Sequence, residues 1–343
     1  MTNLKPIGSY KILSCYEKIK TILKGNMPIP RTLEFFISDR CNHNCPGCHS
    51  KSLHHSKYDF LNVKIAKRVV DEAAKMGVEG IEISGGGEPL MHPNIIDFIE
   101  FIHSKKIKCG LFTNGTLITN KMLPALSKLL FIRFALDSGL PSTYKETHGV
   151  DQFFKLIENI QKIVDYKKKN KSIVTIGAKF LISKANKYEI IKATKLAKNL
   201  KLDYIQFKPL RNSPKVHLNG PEIQNAKSQI KKAQDLETND FKVIGGIEKS
   251  HINQKCILNP IHPVIDASGN VYLCAFWQHR TKTHCIGNIK KQSFEKVWYS
   301  EKHRKAFLEN DYEQCNFFDC PFHAANELIQ EAIVKDKAHL EFI

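Results

Sequence analysis

The stretch Leu33-Glu34-Phe35-Phe36-Ile37-Ser38, closely followed by Cys41-Asn42-His43-Asn44-Cys45-Pro46-Gly47-Cys48, decides how this chain is read. The first six residues suit a strand, and the loop after them carries three thiols on one short span. A closed structural zinc site takes four ligands, commonly from paired C-x2-C units. Only Cys45 and Cys48 form such a pair, so His43 or His49 would have to complete a zinc site. Electron-transfer clusters are generally held by four cysteines. Three thiolates on a cubane leave one iron open to an exchangeable ligand, which suits binding and reducing a small molecule.

Working outward, apolar strands alternate with amphipathic helices. Val63–Met76 reads as a helix stopped by Gly77, and Asn94–His103 as another opening after Pro93. Further helices are predicted near Lys121–Leu129, Gln152–Lys168 and Tyr188–Lys198. Ile81–Ser84, Lys108–Thr113, Phe131–Leu136, Ile173–Ile182 and Tyr204–Phe207 read as strands. This βα alternation predicts parallel units with right-handed crossovers, closed into a barrel or left as an open sheet. Chemistry then gathers at the C-terminal ends of the strands. Cys41–Cys48, Ser84–Pro89, Thr113–Gly115 and Asp137–Ser138 all fall there.

The chain has 343 residues, near the size where one core begins to divide, which predicts a large domain and an appendage. We divide it into a lead-in (1–30), a barrel (31–210), a polar helical connector (211–255), a cysteine-bearing segment (256–325) and a helical tail (326–343). No run approaches the roughly 20 apolar residues that cross a bilayer, and the first residues lack an apolar signal core. A cytoplasmic protein without a membrane partner is expected. The net charge is +18, but it comes from scattered lysines, with arginine scarce. That pattern fits a solvated surface better than a nucleic-acid face. Ten cysteines in a cytosolic chain point to metal or catalysis rather than disulfides.

The three-cysteine loop at the end of a first strand resembles the signature of the radical S-adenosylmethionine (SAM) superfamily. The resemblance implies an α/β fold, a partial (β/α)6 TIM-like barrel with a small C-terminal auxiliary-cluster segment. It also implies a [4Fe–4S] cluster on Cys41, Cys45 and Cys48, with SAM chelated on the open iron. The reduced cluster would split SAM to a 5′-deoxyadenosyl radical that takes hydrogen from substrate, with flavodoxin or ferredoxin as reductant. Ser84-Gly85-Gly86-Gly87-Glu88-Pro89 resembles the family's GGEP motif, which binds the SAM amino group. Independently, glycines let backbone approach a ligand closely, and an acidic neighbour suits an ammonium. Thr113-Asn114-Gly115 resembles the TNG that ends the third strand, and Leu136-Asp137-Ser138 the LDS motif near the SAM ribose. Each of these motifs alone also fits a plain strand-ending turn. Two positions depart from the pattern. Gly47 stands where the family often has an aromatic, which leaves a backbone contact to adenine. Ala135 stands where a serine often precedes the aspartate, so the ribose hydroxyls need another partner.

Near the C-terminus, Cys256-x12-Gly269-x4-Cys274 resembles the opening of a SPASM or twitch segment, and Cys315 and Cys320 follow. The resemblance implies a second, auxiliary [4Fe–4S] cluster on these four cysteines, and zinc on the same set is the alternative. Ser268-Gly269-Asn270 predicts a hairpin between two apolar runs, and a helix is expected near Phe294–Leu308. Cys285 is left over, as a structural thiol, a further ligand, or a catalytic hydrogen donor. Cys15 and Cys109 read as packing residues. His54, His55, His279 and His284 show no ligand spacing, and Lys179 and Lys208 suit either substrate contact or surface. The implied activity is oxidation or epimerisation of a small polar substrate such as a sugar, cyclitol or nucleotide sugar. A peptide or protein maturase is the alternative, and residues 1–30 give no sign of a peptide-recognition domain. A zinc-stabilised nucleic-acid binder would explain charge and cysteines but leaves the glycine loop without a role.

Overall fold

The computed structural model describes residues 9–55, 59–210, 218–247, 255–275, 280–310, 320 and 322–335. Helix α1 (Tyr16–Leu23) precedes the sheet. Strands β1 (Thr32–Phe36), β2 (Gly80–Ser84), β3 (Lys108–Thr113), β4 (Phe131–Ala135), β5 (Thr175–Ile182) and β6 (Tyr204–Pro209) lie side by side in chain order, all parallel. The crossovers carry α2 (Val63–Met76), α3 (Ile95–Ser104), α4 (Leu123–Leu126), α5 (Pro141–His148), α6 (Phe153–Lys169) and α7 (Ile190–Asn199). This is the predicted α/β arrangement of a partial TIM-like barrel.

Alternation along each strand explains the two faces. Leu33, Phe35, Ile81, Ile83, Leu111, Ile132, Phe134, Phe180 and Phe207 are wholly buried and share a core with the apolar stripes of α2, α3, α6 and α7. The alternate positions include most of the polar strand residues. Glu34 pairs with Glu82, Lys179 with Gln206, and Leu181 with Lys208, so the inner wall collects charge. Gly110 and Gly177 on that wall leave room for the Phe131 and Tyr204 rings, which a Cβ would meet at 2.2 Å.

The connector 211–255 is more than helical. It holds α8 (Gly220–Gln234), but also β7 (Lys242–Gly245), which continues the parallel run beside β6. Only four residues long, with Val243 its one buried side chain, β7 carries almost no sequence signal. On the other flank, β8 (Val264–Ile265) runs parallel to β1 and turns back as β9 (Asn270–Tyr272), followed by β10 (Cys285–Asn288). The hairpin turn falls where expected: Gly269 has φ +80°, and Asp266 Oδ1 accepts from Asn270 N–H at 2.8 Å. The C-terminal segment thus extends one ten-stranded sheet.

The remaining helices are α9 (Thr281–His284), α10 (Phe294–Trp298), α11 (Glu301–Leu308) and α12 (His323–Ile329). The single helix expected over 294–308 is broken because Ser300 caps α11, its hydroxyl accepting from His303 N–H at 3.2 Å. The lead-in packs onto this end: Ile12, Cys15, Ile19 and Ile22 share a second core with Ile257, Leu258, Ile261, Phe307 and Ile329. Trp298 joins the two, wholly buried, its indole N–H donating to Pro28 O at 2.7 Å. Truncating it leaves a large cavity and an unsatisfied carbonyl. Trp298→Ala should therefore cost about 3–5 kcal/mol in anaerobic urea unfolding, whereas Ile173→Ala, at a site 88% exposed, should stay within about 0.5 kcal/mol. Equal stability of the two variants would contradict this packing.

Candidate active site

Three strand ends converge on one small region. After β1 the chain bends so that Ser38 O accepts from Gly87 N–H at 2.7 Å and Arg40 O from Glu88 N–H at 2.7 Å. The loop after β2 is thereby stitched to the cysteine loop. Its glycines are demanded by this fit: a Cβ on Gly87 would lie 2.0 Å from Arg40 O, and one on Gly86 2.6 Å from Asp39 Oδ1.

Glu88 then ties in the third strand. It is buried, and Oε1 accepts from Leu90 N–H at 3.0 Å and Thr113 Oγ1–H at 2.5 Å. Oε2 accepts from Asn114 N–H at 2.7 Å. Both oxygens are engaged inside the protein, so the carboxylate that the sequence offered to an ammonium acts here as a brace. Asn114 in turn donates from Nδ2 to Asn42 Oδ1 at 2.8 Å, and Asn42 Nδ2 donates to Thr116 Oγ1 at 2.9 Å. Asn159 on α6 secures this loop from below through Gly115 O and Thr116 O.

Cys41, Cys45 and Cys48 are half-buried on their loop, with Cys48 N–H donating to Cys45 O at 3.2 Å. Burial pushes all three thiols up, Cys41 to about 11, and for Cys41 and Cys45 a neighbouring sulfur adds to the effect. Three thiolates on one short, poorly solvated loop need a cationic centre to hold them ionised. The donor set therefore fits a cluster bound through three sulfurs.

Helix α5 clamps this loop and went unseen in the sequence, because its buried positions are few and polar. His148 O accepts from Asn44 N–H at 3.1 Å, and a Cβ on Gly149 (φ +68°) would lie 2.4 Å from Asn44 O. His148 Nδ1 stands 3.7 Å from Cys45 Sγ and 3.3 Å from His43 Nδ1, with Tyr144 stacked on its ring at 4.1 Å. Burial lowers both imidazoles to about 3, so they are neutral near pH 7. His43 also meets Thr116 Oγ1 at 3.3 Å, so it braces the loop. A metal shared by His43, Cys45 and His148, whose ligand atoms lie within 4.8 Å, would take one thiol away from the other two.

Asp137 follows β4 in a left-handed conformation, φ 47°, where an aspartate is tolerated. Its Oδ1 accepts from Leu181 N–H at 2.5 Å, and its carbonyl from Asn186 Nδ2 at 2.7 Å. Burial raises its carboxyl, and Lys179 offsets part of this. The Lys179 ammonium is itself lowered by burial, with Asp137, Cys45 and Cys48 counteracting. Ser138 is wholly buried and donates to Leu136 O at 3.4 Å, so its hydroxyl faces the protein rather than the site.

In the C-terminal segment, Cys256, Cys274 and Cys320 are half-buried, while Cys315 and His279 lie outside the described residues. The backbone beside Cys256 is lashed to α12: Asn326 Oδ1 accepts from Ile257 N–H at 2.9 Å and its Nδ2 donates to Lys255 O at 3.1 Å. Because α12 starts just after Cys320, this anchors both cysteines to one end of the segment. Cys274 follows β9, and Cys285 opposes Tyr272 on β10. Cys285 packs against the Phe36–Val264–Tyr272 cluster and its Sγ lies 3.6 Å from Gly287 O. Cys15 and Cys109 are buried among apolar side chains, as expected.

The chain resembles several known proteins. It is 22% identical over 333 residues to the tungsten-containing aldehyde ferredoxin oxidoreductase cofactor-modifying protein of Pyrococcus furiosus, covering 86% of this chain and 88% of that one. It is 29% identical over 220 residues to the probable GTP 3′,8-cyclase of Methanocaldococcus jannaschii, covering 62% and 70%. Among solved structures, Streptococcus suis SuiB bound to precursor peptide SuiA superposes with a TM-score of 0.69 at 17% identity, over 95% of this chain and 79% of that one. Native anSMEcpe with bound AdoMet and Cp18Cys peptide gives 0.59 at 19% identity, over 84% and 87%. These two likenesses concern the fold. Residues 35–181 match the radical SAM superfamily, and residues 256–321 match the SPASM iron–sulfur cluster-binding domain. The chain belongs to the radical SAM superfamily and carries a SPASM iron–sulfur domain behind its barrel.

Proposed function

We propose that Cys41, Cys45 and Cys48 hold the [4Fe–4S] cluster that the radical SAM domain implies, and that the enzyme acts on a small polar substrate inside the barrel. The observation that carries this reading is that three half-buried thiols, with no fourth cysteine on their loop, follow directly on backbone stitched through Ser38 O and Arg40 O to the glycine loop. When bound, the reduced cluster supplies the electron that splits the SAM sulfonium, releasing the 5′-deoxyadenosyl radical that takes hydrogen from substrate.

The chain's own residues would do the positioning. Lys179, on the inner wall opposite Gln206, would offer a cation to the SAM carboxylate. With both Glu88 oxygens engaged and Gly86 O already meeting His54 Nε2 at 2.8 Å, the backbone carbonyls of Gly85 and Gly87 would receive the ammonium. The charged inner wall, with Glu82, Arg133, Lys179 and Lys208, suits a polar substrate rather than an apolar one. The full-length relative whose name says it modifies a cofactor, and the cyclase named for GTP, support a small molecule over a peptide. Oxidation or epimerisation remains our reading of the step. Cys256, Cys274, Cys315 and Cys320 would hold the auxiliary cluster.

Anaerobic reconstitution should load about eight irons per chain when both clusters form. With dithionite and SAM the protein should release 5′-deoxyadenosine. Cys45→Ala should lose about half the iron and all of this release, and full activity in that variant would refute the reading. Offered deuterated sugars or nucleotides, the enzyme should move deuterium into 5′-deoxyadenosine. Transfer from peptides alone would move it to the maturase class.

The Glu88 brace makes a further expectation. Burial pushes its carboxyl up from 4.5 to about 7, against the pull of the Thr113, Asn114 and Leu90 donors. A folded-state value above the unfolded one means that its proton stabilises the fold fully below about pH 4.5. That contribution, on the order of 3 kcal/mol, is lost as pH rises through about 7. Unfolding free energies of Glu88→Gln should therefore vary less between those pH values than those of the natural chain. An unchanged slope would contradict the assignment.

A further inference from the structure

Away from the three-thiol loop, one other group of ligand-type side chains is drawn together among the described residues. Glu34 on β1 and Glu82 on β2 are cross-strand neighbours on the inner wall. His262, arriving just ahead of β8, points Nε2 between them, 3.5 Å from Glu82 Oε2 and 3.8 Å from Glu34 Oε2. One ligand atom from each of the three lies within 4.8 Å of the others. The group is built from both sides. Ser84 Oγ–H donates to Glu34 Oε1 at 2.6 Å, and the Phe322 ring covers the imidazole at 5.1 Å. His262 Nε2 is shut off from solvent and makes no hydrogen bond within the described residues.

The spacing points to an occupant. Gaps of 3.5 and 3.8 Å are too long for strong hydrogen bonds. They lie close to the edge of a coordination shell, where bonds of about 2.1 Å set neighbouring ligand atoms roughly 3–3.4 Å apart. Glu82 is the most open of the three, its side chain 27% exposed, so the free side of such a shell faces the barrel interior. Arg133, a neighbouring cation whose charge both carboxylates feel, makes its hydrogen bond elsewhere: Nη1 donates to Gln206 Oε1 at 2.9 Å and the guanidinium lies 4.1 Å over Phe112.

We infer that Glu34, Glu82 and His262 form a second metal site, for one divalent cation that prefers oxygen and nitrogen ligands. The two carboxylates match the ion's charge, and the imidazole supplies a nitrogen. The rival occupant is a proton on His262. Burial works against a charged imidazole there, but Glu82 and Glu34 outweigh it and raise its proton affinity. A cation must displace that proton, so its affinity rises with pH. The site shares no residue with the three-thiol loop, and its test is independent of SAM cleavage.

Manganese(II) is the probe, since thiolates draw zinc far more strongly than manganese. Reconstituted holoenzyme is titrated anaerobically with Mn²⁺ while free ion is followed by EPR. A single site per chain is expected, with nitrogen coupling from one histidine in the pulsed spectrum of the bound ion. Glu82→Gln and His262→Asn should each weaken binding about tenfold or more, with iron content unchanged. No binding by the natural chain, or binding that both variants keep at full affinity, overturns the site. Should a variant lose its iron, the nitrogen coupling in the natural chain decides alone, and its absence overturns the site.

Discussion

The buried carboxylate of Glu88 is the contact on which the rest of the site depends. Its own N–H binds the loop after β1, its side chain binds the loop after β3, and its neighbour Leu90 completes the set. One residue thus fixes three strand ends relative to each other. Such a fully satisfied buried network rigidifies what it joins, and leaving any one donor without its acceptor would cost about 1–3 kcal/mol. The cysteine loop carries little regular structure of its own, and it is held by these bonds and by the clamp of α5.

The barrel serves two purposes through one alternation. Outward residues such as Phe35, Ile83 and Phe134 supply the core, and inward ones supply chemistry. That division lets the inner wall carry charges that no core would tolerate. The SPASM segment adds to the same sheet through β8, so His262 reaches the wall beside Glu34 and Glu82. Auxiliary segment and barrel are therefore joined by paired backbone and by charge.

Much of this was legible in the residues. Strands β1 to β6 announce themselves by apolar runs ended by glycine or polar turns, and the cysteine spacing points to the site directly. β7 was not legible, because Lys242-Val243-Ile244-Gly245 is too short and half polar. Nor was α5, whose buried face is Thr143, Tyr144 and His148, without apolar periodicity. Glu88 was singled out in the sequence as a partner for an ammonium, and its hydrogen bonds to Thr113 and Asn114 were not legible there, since they depend on how β2 and β3 pair. His262 shows the same limit: far from Glu34 and Glu82 in sequence, it joins them only through β8.

In the proposed site one iron of the loop cluster lacks a protein ligand and takes SAM in its place. Mössbauer spectra of 57Fe-reconstituted protein, recorded before and after SAM is added, test it most directly. The account predicts that a single iron of that cluster changes its isomer shift when SAM binds, while the auxiliary irons stay as they were. Spectra in which no iron responds to saturating SAM would contradict it.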